Sequence, residues 1–344
     1  MYVLQRSVVL WIVFLCVACP SLATATPHPY RIAYLESGSY WLYSNTYKAI
    51  KVSLQTDKTL SIEYPEQLHV SVGWEKPSAE LAARARELFA AKPDLIIAAG
   101  TEAAQALFAA NDGTTPILGI AISDPVKSGV MKSPTEPTVK NFNCEILPER
   151  WKNMYRAFHE VVQFQKMGMM HVATTTGTTA SGVDDAIEIG KELGFEVVEV
   201  LIPDETPTSC GQGIEKLRTK GVEAFFIGPL NCFDWSSTNP APLINLLHKY
   251  GMATFAREGS PWVQGGALMG FSTWNFSFTG KKLALAAAQM LRGVSPDQIN
   301  MAGVSEPVLS LNFETARLLG LDLSFDVLLM SEEIFVETTN PELD

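Results

Sequence analysis

The sequence predicts an α/β protein of two doubly wound parallel-sheet lobes joined by a hinge. Three observations carry that prediction. Short, continuous apolar runs alternate with stretches of helical periodicity, the pattern of parallel strands covered by helices on both faces. The alternation halts near Asn141–Pro148 and then starts again. Finally, the 344 residues exceed the roughly 250–300 that one hydrophobic core usually organises.

The elements follow in order. Tyr30–Leu35 (YRIAYL) reads as a buried strand, with a helical stretch near Asn45–Gln55. Leu68–Val72 is a second strand, and Ser78–Ala91 is a helix opening on a serine cap with Glu80 in its first turn. The run DLIIAAGT is a continuous strand ending in Gly100-Thr101, followed by a helix over Glu102–Ala110 and a strand over Pro116–Ile122. After the break come a helix (Pro148–Gln165), a strand (Met170–Thr174), a helix (Ala180–Leu193) and a strand (Phe195–Ile202). Gly211–Lys220 (helix), Ala224–Gly228 (strand), Pro242–Tyr250 (helix) and Ala253–Ala256 (strand) complete the second series. The remaining chain, with a helix at Thr279–Arg292 and a βα unit at Pro307–Leu319, is too small for a third domain and is expected to complete the other two.

Residues 1–25 stand apart as a secretory signal. Arg6 is their only charge, Val8–Cys19 is unbroken apolar sequence, and small residues follow Pro20. The run is shorter than the about 20 apolar residues a membrane span needs. Cleavage is expected after Ala23 or Ala25, with lipid anchoring at Cys19 as the rival. Either route places the mature chain in the periplasm or another extracytoplasmic space. Removing the signal takes away one basic residue and no acid, moving the formal charge from −11 to −12. So acidic a chain argues against nucleic acid or an anionic membrane surface as a partner.

Three cysteines remain: Cys144, Cys210 and Cys232. An oxidising compartment permits disulfides, and a Cys210–Cys232 bond is expected if the strands 195–202 and 224–228 are neighbours. Cys144 would then stay free.

Enzyme signatures are missing. The sequence has no Gly-x-Ser-x-Gly elbow and no phosphate-binding Walker loop. Gly211-Gln212-Gly213 lacks the third glycine of a dinucleotide fingerprint, since Lys216 stands in its place. His159-Glu160-Val161-Val162-Gln163 lacks the second histidine of a zinc-protease motif. The five histidines are scattered, so no metal and no cofactor is expected. What does gather is binding chemistry at the carboxyl ends of strands, where doubly wound sheets hold their ligands. Ser39, Trp41, Gly100, Thr101, Ser123, Asp124, Thr176, Asn231 and Glu258 are the candidate ligand-binding residues. They offer hydroxyls, amides, carboxylates and open helix N-termini, groups that grip a polar solute without reacting with it. Tyr40, Trp41 and Tyr43, with Trp262, Phe271, Trp274 and Phe276, would line a cleft or pack the lobes together.

Several spaced segments resemble the ABC-transporter substrate-binding-protein family that includes tryptophan- and tyrosine-binding members. They are KPDLIIAAGTEAAQAL, ISDPV at 122–126, GALMGFS, and the long late run from GKKLALAAAQMLRGVSPDQI to EPVLSLNFETARLLGLDLSFDVLLMSEEIF. The resemblance implies a type I periplasmic-binding fold with three hinge crossings. An N-terminal lobe of 26–144 plus 273–303 would face a C-terminal lobe of 145–272 plus 304–344. Family loop-end positions fall on Thr101, Ser123 and Asp124, and in a typical member an acid such as Asp124 or Glu258 pairs with the ligand's amine. Two segments depart from the family: SGSYWLYSN is unusually aromatic, and GPLNCFDWSSTNPAP replaces a short polar turn. The function implied is an extracytoplasmic solute-binding protein, a monomer with no catalysis of its own. It would deliver an amino acid or similar small solute, aromatic ones included, to an inner-membrane ABC permease. The alternative is a sensory protein of the same fold signalling to a membrane receptor.

Overall fold

The computed structural model describes residues 28–341 apart from 75, 77, 148, 174–176, 179, 180, 272–275 and 304–307. The signal segment with Cys19, Thr176 and Trp274 therefore lie outside the described residues.

The first sheet is built from β1 (Tyr30–Glu36), β2 (Ile62–Glu63), β3 (His69–Ser71), β4 (Leu95–Ala99), β5 (Ile117–Ile120) and, after a small β6 (Met131–Ser133) and β7 (Glu136–Pro137) hairpin, β8 (Phe142–Cys144). Its order is β2-β1-β4-β5-β8, with β3 also on β1, and every pairing is parallel. All five residues of β4 are buried, which is what a continuous apolar run demands when helices cover both faces. Those helices include α1 (Trp41–Leu54), α2 (Ser78–Ala90) and α3 (Thr101–Ala109).

The chain then passes through α4 (Arg150–Val162) into β9 (Lys166–Val172), α5 (Val183–Leu193), β10 (Glu196–Ile202), α6 (Pro207–Thr219), β11 (Ala224–Ile227), α7 (Ala241–Lys249), β12 (Ala253–Ala256), α8 (Ser260–Gln264) and β13 (Met269–Phe271). The helix α9 (Phe276–Leu291) returns to pack on α1 in the first lobe. The chain crosses once more for β14 (Leu309–Asn312), α10 (Phe313–Leu318), α11 (Phe325–Leu329) and β15 (Ser331–Phe335). The second sheet runs β10-β9-β11-β12-β13-β14-β15, parallel except where β14 opposes β13. The predicted fold class, two doubly wound sheets, is the observed one.

The Cys210–Cys232 disulfide is present, with the Cα atoms 6.6 Å apart, and Cys144 is free and buried. The reason differs from the one the sequence suggested. β10 and β11 are not neighbours, because β9 lies between them. The bond forms instead because α6 starts beside the short turn after β11, which carries Cys232.

In the aromatic stretch after β1 the two expected roles are divided between residues. Tyr40 adopts an extended conformation and helix α1 begins at Trp41. The helix therefore turns the Trp41 indole inward, where it lies 5.3 Å from Trp262 and 5.6 Å from Phe276 between ring centroids. Trp41 packs the two lobes together.

Candidate functional site

Between the lobes lies a cavity of about 610 Å³. Its walls come from the carboxyl ends of strands in both sheets. Ser37, Thr101 and Ser123 follow strands of the first lobe, while Val172, Asn231 and Arg257 sit at or beyond strand ends of the second. A second cavity of about 260 Å³ adjoins it and shares Leu42, Ala121, Ser123 and Arg257. Ala121, at the exit of β5, holds φ 51° without being glycine. Such a conformation costs of order 1–3 kcal/mol and is retained where a site needs the backbone so placed.

Of the residues named from sequence, Thr101, Ser123 and Asn231 line the larger cavity. Thr101 Oγ1 accepts the Ser123 N–H at 3.3 Å, fixing two strand ends against each other. Gly100 enters as backbone: it precedes α3 with φ 85°, and a Cβ there would strike the Tyr43 hydroxyl at 2.1 Å. No side chain caps α3 at Gly100, and the Thr101 and Glu102 at its first turn face the cavity. Asp124 lines the smaller cavity, its Oδ1 accepting the N–H groups of Val126 and Lys127 at 3.1 and 2.9 Å. Ser39 is exposed and offers its carbonyl to Trp74 Nε1 at 3.1 Å. Trp41 is buried in the lobe contact described above. Neither Ser39 nor Trp41 is among the lining residues.

Glu258 is buried beside Arg257, with 3.3 Å between Oε1 and a guanidinium nitrogen. The guanidinium also lies 4.8 Å over the Trp151 ring. Several polar atoms here are sealed from solvent with no hydrogen-bond partner: the Tyr40 hydroxyl, Arg257 Nε and both Glu258 carboxylate oxygens. Burial, with the Glu258 charge adding to it, holds the Tyr40 hydroxyl far above its ordinary range, so Tyr40 is a neutral donor. Nearby Arg150 is pushed down to about 10 by burial and by the Arg257 charge. It remains a cation at physiological pH.

Tyr40 and Tyr43, named from the sequence as aromatic cleft residues, line the larger cavity, and so do Trp74, Glu102, His171, Glu205 and Arg257, which were not singled out as ligand-binding. Glu102 adjoins Thr101 and Arg257 adjoins Glu258, both candidates from the sequence, so the signal for them was present. Among the described residues, no group of three His, Cys, Asp or Glu side chains gathers as a metal site, and no helix is long and apolar enough to cross a membrane.

Residues 58–149 match the family model described as ABC transporter substrate binding protein. No curated protein matches the sequence. Among solved structures, an ABC domain from Streptococcus pneumoniae in complex with L-Trp superposes with a TM-score of 0.73 at 17% identity, covering 88% of this chain and 100% of that one. A conserved domain protein from Vibrio cholerae gives 0.74 at 17% identity, covering 89% and 100%. A substrate binding protein with adhesive properties from Clostridium difficile, in its ligand-free open form, gives 0.62 at 22%, covering 90% and 100%. The resemblance read from the spaced segments thus holds: the chain has the type I periplasmic-binding fold and carries, over residues 58–149, the sequence signature of the ABC transporter substrate-binding proteins.

Proposed function

We propose that this chain is the extracytoplasmic solute-binding protein of an ABC importer. It holds an amino acid or similar small solute in the interlobe cavity and passes it, chemically unchanged, to an inner-membrane permease. The observation that carries this reading is a pair of buried polar atoms without hydrogen-bond partners on residues that line the cleft, Tyr40 Oη and Arg257 Nε. A buried polar group left unpaired costs about 1–3 kcal/mol. A solute with complementary donors and acceptors removes that cost on binding, while the donors gain nothing from an empty cleft. The absence of an adjacent nucleophile–base pair in the sequence motifs is consistent with binding alone.

Tyr40→Phe tests the reading, since it deletes one hydroxyl and leaves the ring. Solutes are first screened by thermal shift, where binding at 100 times Kd adds about 2.7 kcal/mol of stability. The variant is expected to be at least as stable as the wild type without solute, and to bind the selected solute about ten-fold more weakly. Mass spectrometry of the solute released from denatured protein should recover it intact. An unchanged affinity in Tyr40→Phe, or a chemically altered solute, contradicts the proposal.

A further inference from the structure

The cavity is unevenly charged. Three carboxylates line it, Glu102, Asp204 and Glu205, against one guanidinium, Arg257. Arg257 already faces Glu258 at 3.3 Å. Asp204 is engaged too, its Oδ1 accepting the Thr206 N–H at 3.1 Å and the Thr206 hydroxyl at 2.6 Å. Glu102 and Glu205 are left, one at the start of α3 in the first lobe and the other after β10 in the second. Among the described residues neither is in an ion pair with a basic side chain. Glu205 is held in place by the Asn231 N–H, which donates to its Oε2 at 2.7 Å. Burial raises its carboxyl above the ordinary carboxylate range, and the Glu102 charge adds to the rise. Two like charges converging on a partly desolvated cavity repel each other, and a cation between them would relieve both.

The rest of the wall suits the same guest. Tyr43 stands edge-on to Tyr40 at 5.1 Å and tilted to Trp74 at 6.4 Å between centroids. All three line the cavity. Aromatic faces attract cations, and most strongly where water is excluded. A sugar can stack on the rings but brings no charge to offset the carboxylates, and an anion would meet both of them uncompensated.

We infer that the solute is an organic ammonium ion, its charged nitrogen between Glu102 and Glu205 and its body against Tyr43 and Trp74. The inference rests on the solute-binding reading and narrows it to one charge class.

The test uses the full mature chain and six probes. Tryptamine, agmatine and choline are cations, L-tryptophan is a zwitterion, indole-3-acetate is an anion, and glucose is neutral. At least one cation is expected to bind ten-fold or more tightly than each of the other three. Glu102→Gln with Glu205→Gln keeps side-chain shape and removes the repulsion. That double variant should be at least as stable without solute and should bind the best cation at least ten-fold more weakly. Tighter or equal binding of L-tryptophan, indole-3-acetate or glucose overturns the inference and leaves the solute-binding reading standing. So does a double variant that binds the cation as well as the wild type. Failure of all six probes to stabilise the protein overturns the inference and counts against the solute-binding reading as well.

Discussion

His248 shows how one buried residue can set a pH dependence. The residue is 7% exposed, and its Nε2 lies 3.1 Å from Thr254 Oγ1. That hydroxyl already accepts the Leu268 N–H at 2.8 Å, which leaves its own proton to donate to the neutral imidazole. Burial pushes His248 down to about 4 from an ordinary 6.5. Between those values the unfolded chain takes up a proton that the folded chain refuses. The stability linked to His248 is therefore complete above about pH 6.5 and is lost as the pH falls towards 4, roughly 3 kcal/mol across the window. Denaturant unfolding of wild type and His248→Gln at several pH values should give a stability difference that shrinks on acidification. A difference that stays constant with pH would reject the argument. At the same scale, the sequence disclosed the site unevenly. Thr101, Ser123 and Asn231 sit directly after strands, so the rule about strand ends finds them. Trp74 and Glu205 reach the cavity through partners far along the chain, Ser39 for the first and Asn231 for the second. Spacing along a sequence does not encode such turns. Thr176 lies outside the described residues.

At the scale of elements, the contact between α1 and α9 ties the late helix to the first lobe. Gly280 in α9 permits it, because a Cβ there would meet Ala49 Cβ at 2.5 Å and the Ala49 carbonyl carbon at 2.8 Å. In an exposed helix interior Gly→Ala gains about 1 kcal/mol from propensity. Here the two backbones would have to separate, and overpacking costs about 1–3 kcal/mol. Gly280→Ala is therefore expected to destabilise the protein by up to about 2 kcal/mol, read from the denaturant midpoint. A stabilised variant would mean that the helices separate freely. Elements were legible where the physics is local. YRIAYL and DLIIAAGT are buried on both faces and announce themselves as unbroken apolar runs. β8 is three residues long with Asn143 at its centre, and only tertiary contacts make it a strand: Asn143 Nδ2 donates to the carbonyls of Pro296 and Ile299 at 2.7 and 2.8 Å. β15 reads SEEIF, with alternating partial exposure at a sheet edge, and its charges disguised it.

Across the whole molecule, the question is what holds the lobes against each other around the cavity. Two contacts are apolar or neutral: Trp41 on Trp262, and the Trp151 Nε1 donating to the Ser123 carbonyl at 3.3 Å. The third is ionic. Lys127, in the first lobe after β5, lies 3.4 Å from Asp185 and 3.5 Å from Asp184 at the start of α5 in the second, and 3.7 Å from its neighbour Asp124. Asp184 and Asp185 also suit the first turn of a helix, so they are stable there without the lysine. Lys127 is 37% exposed, so water and salt screen the pairing and its net worth is about 0.2–1 kcal/mol. That is small against folding and appreciable against an open–closed equilibrium. Losing 1 kcal/mol from the closed form alone lowers the closed-to-open ratio about five-fold, and a solute that needs the closed form loses affinity by up to the same factor. Lys127→Met keeps the length of the side chain, and Lys127 is not among the residues that line the larger cavity. It should weaken solute binding by up to about five-fold in low salt, with the difference from wild type shrinking in about 0.5 M NaCl. Small-angle scattering of the solute-free variant should report a larger radius of gyration. Equal affinity and equal radius in the two proteins, at low salt, would show that the apolar contacts alone close the cleft.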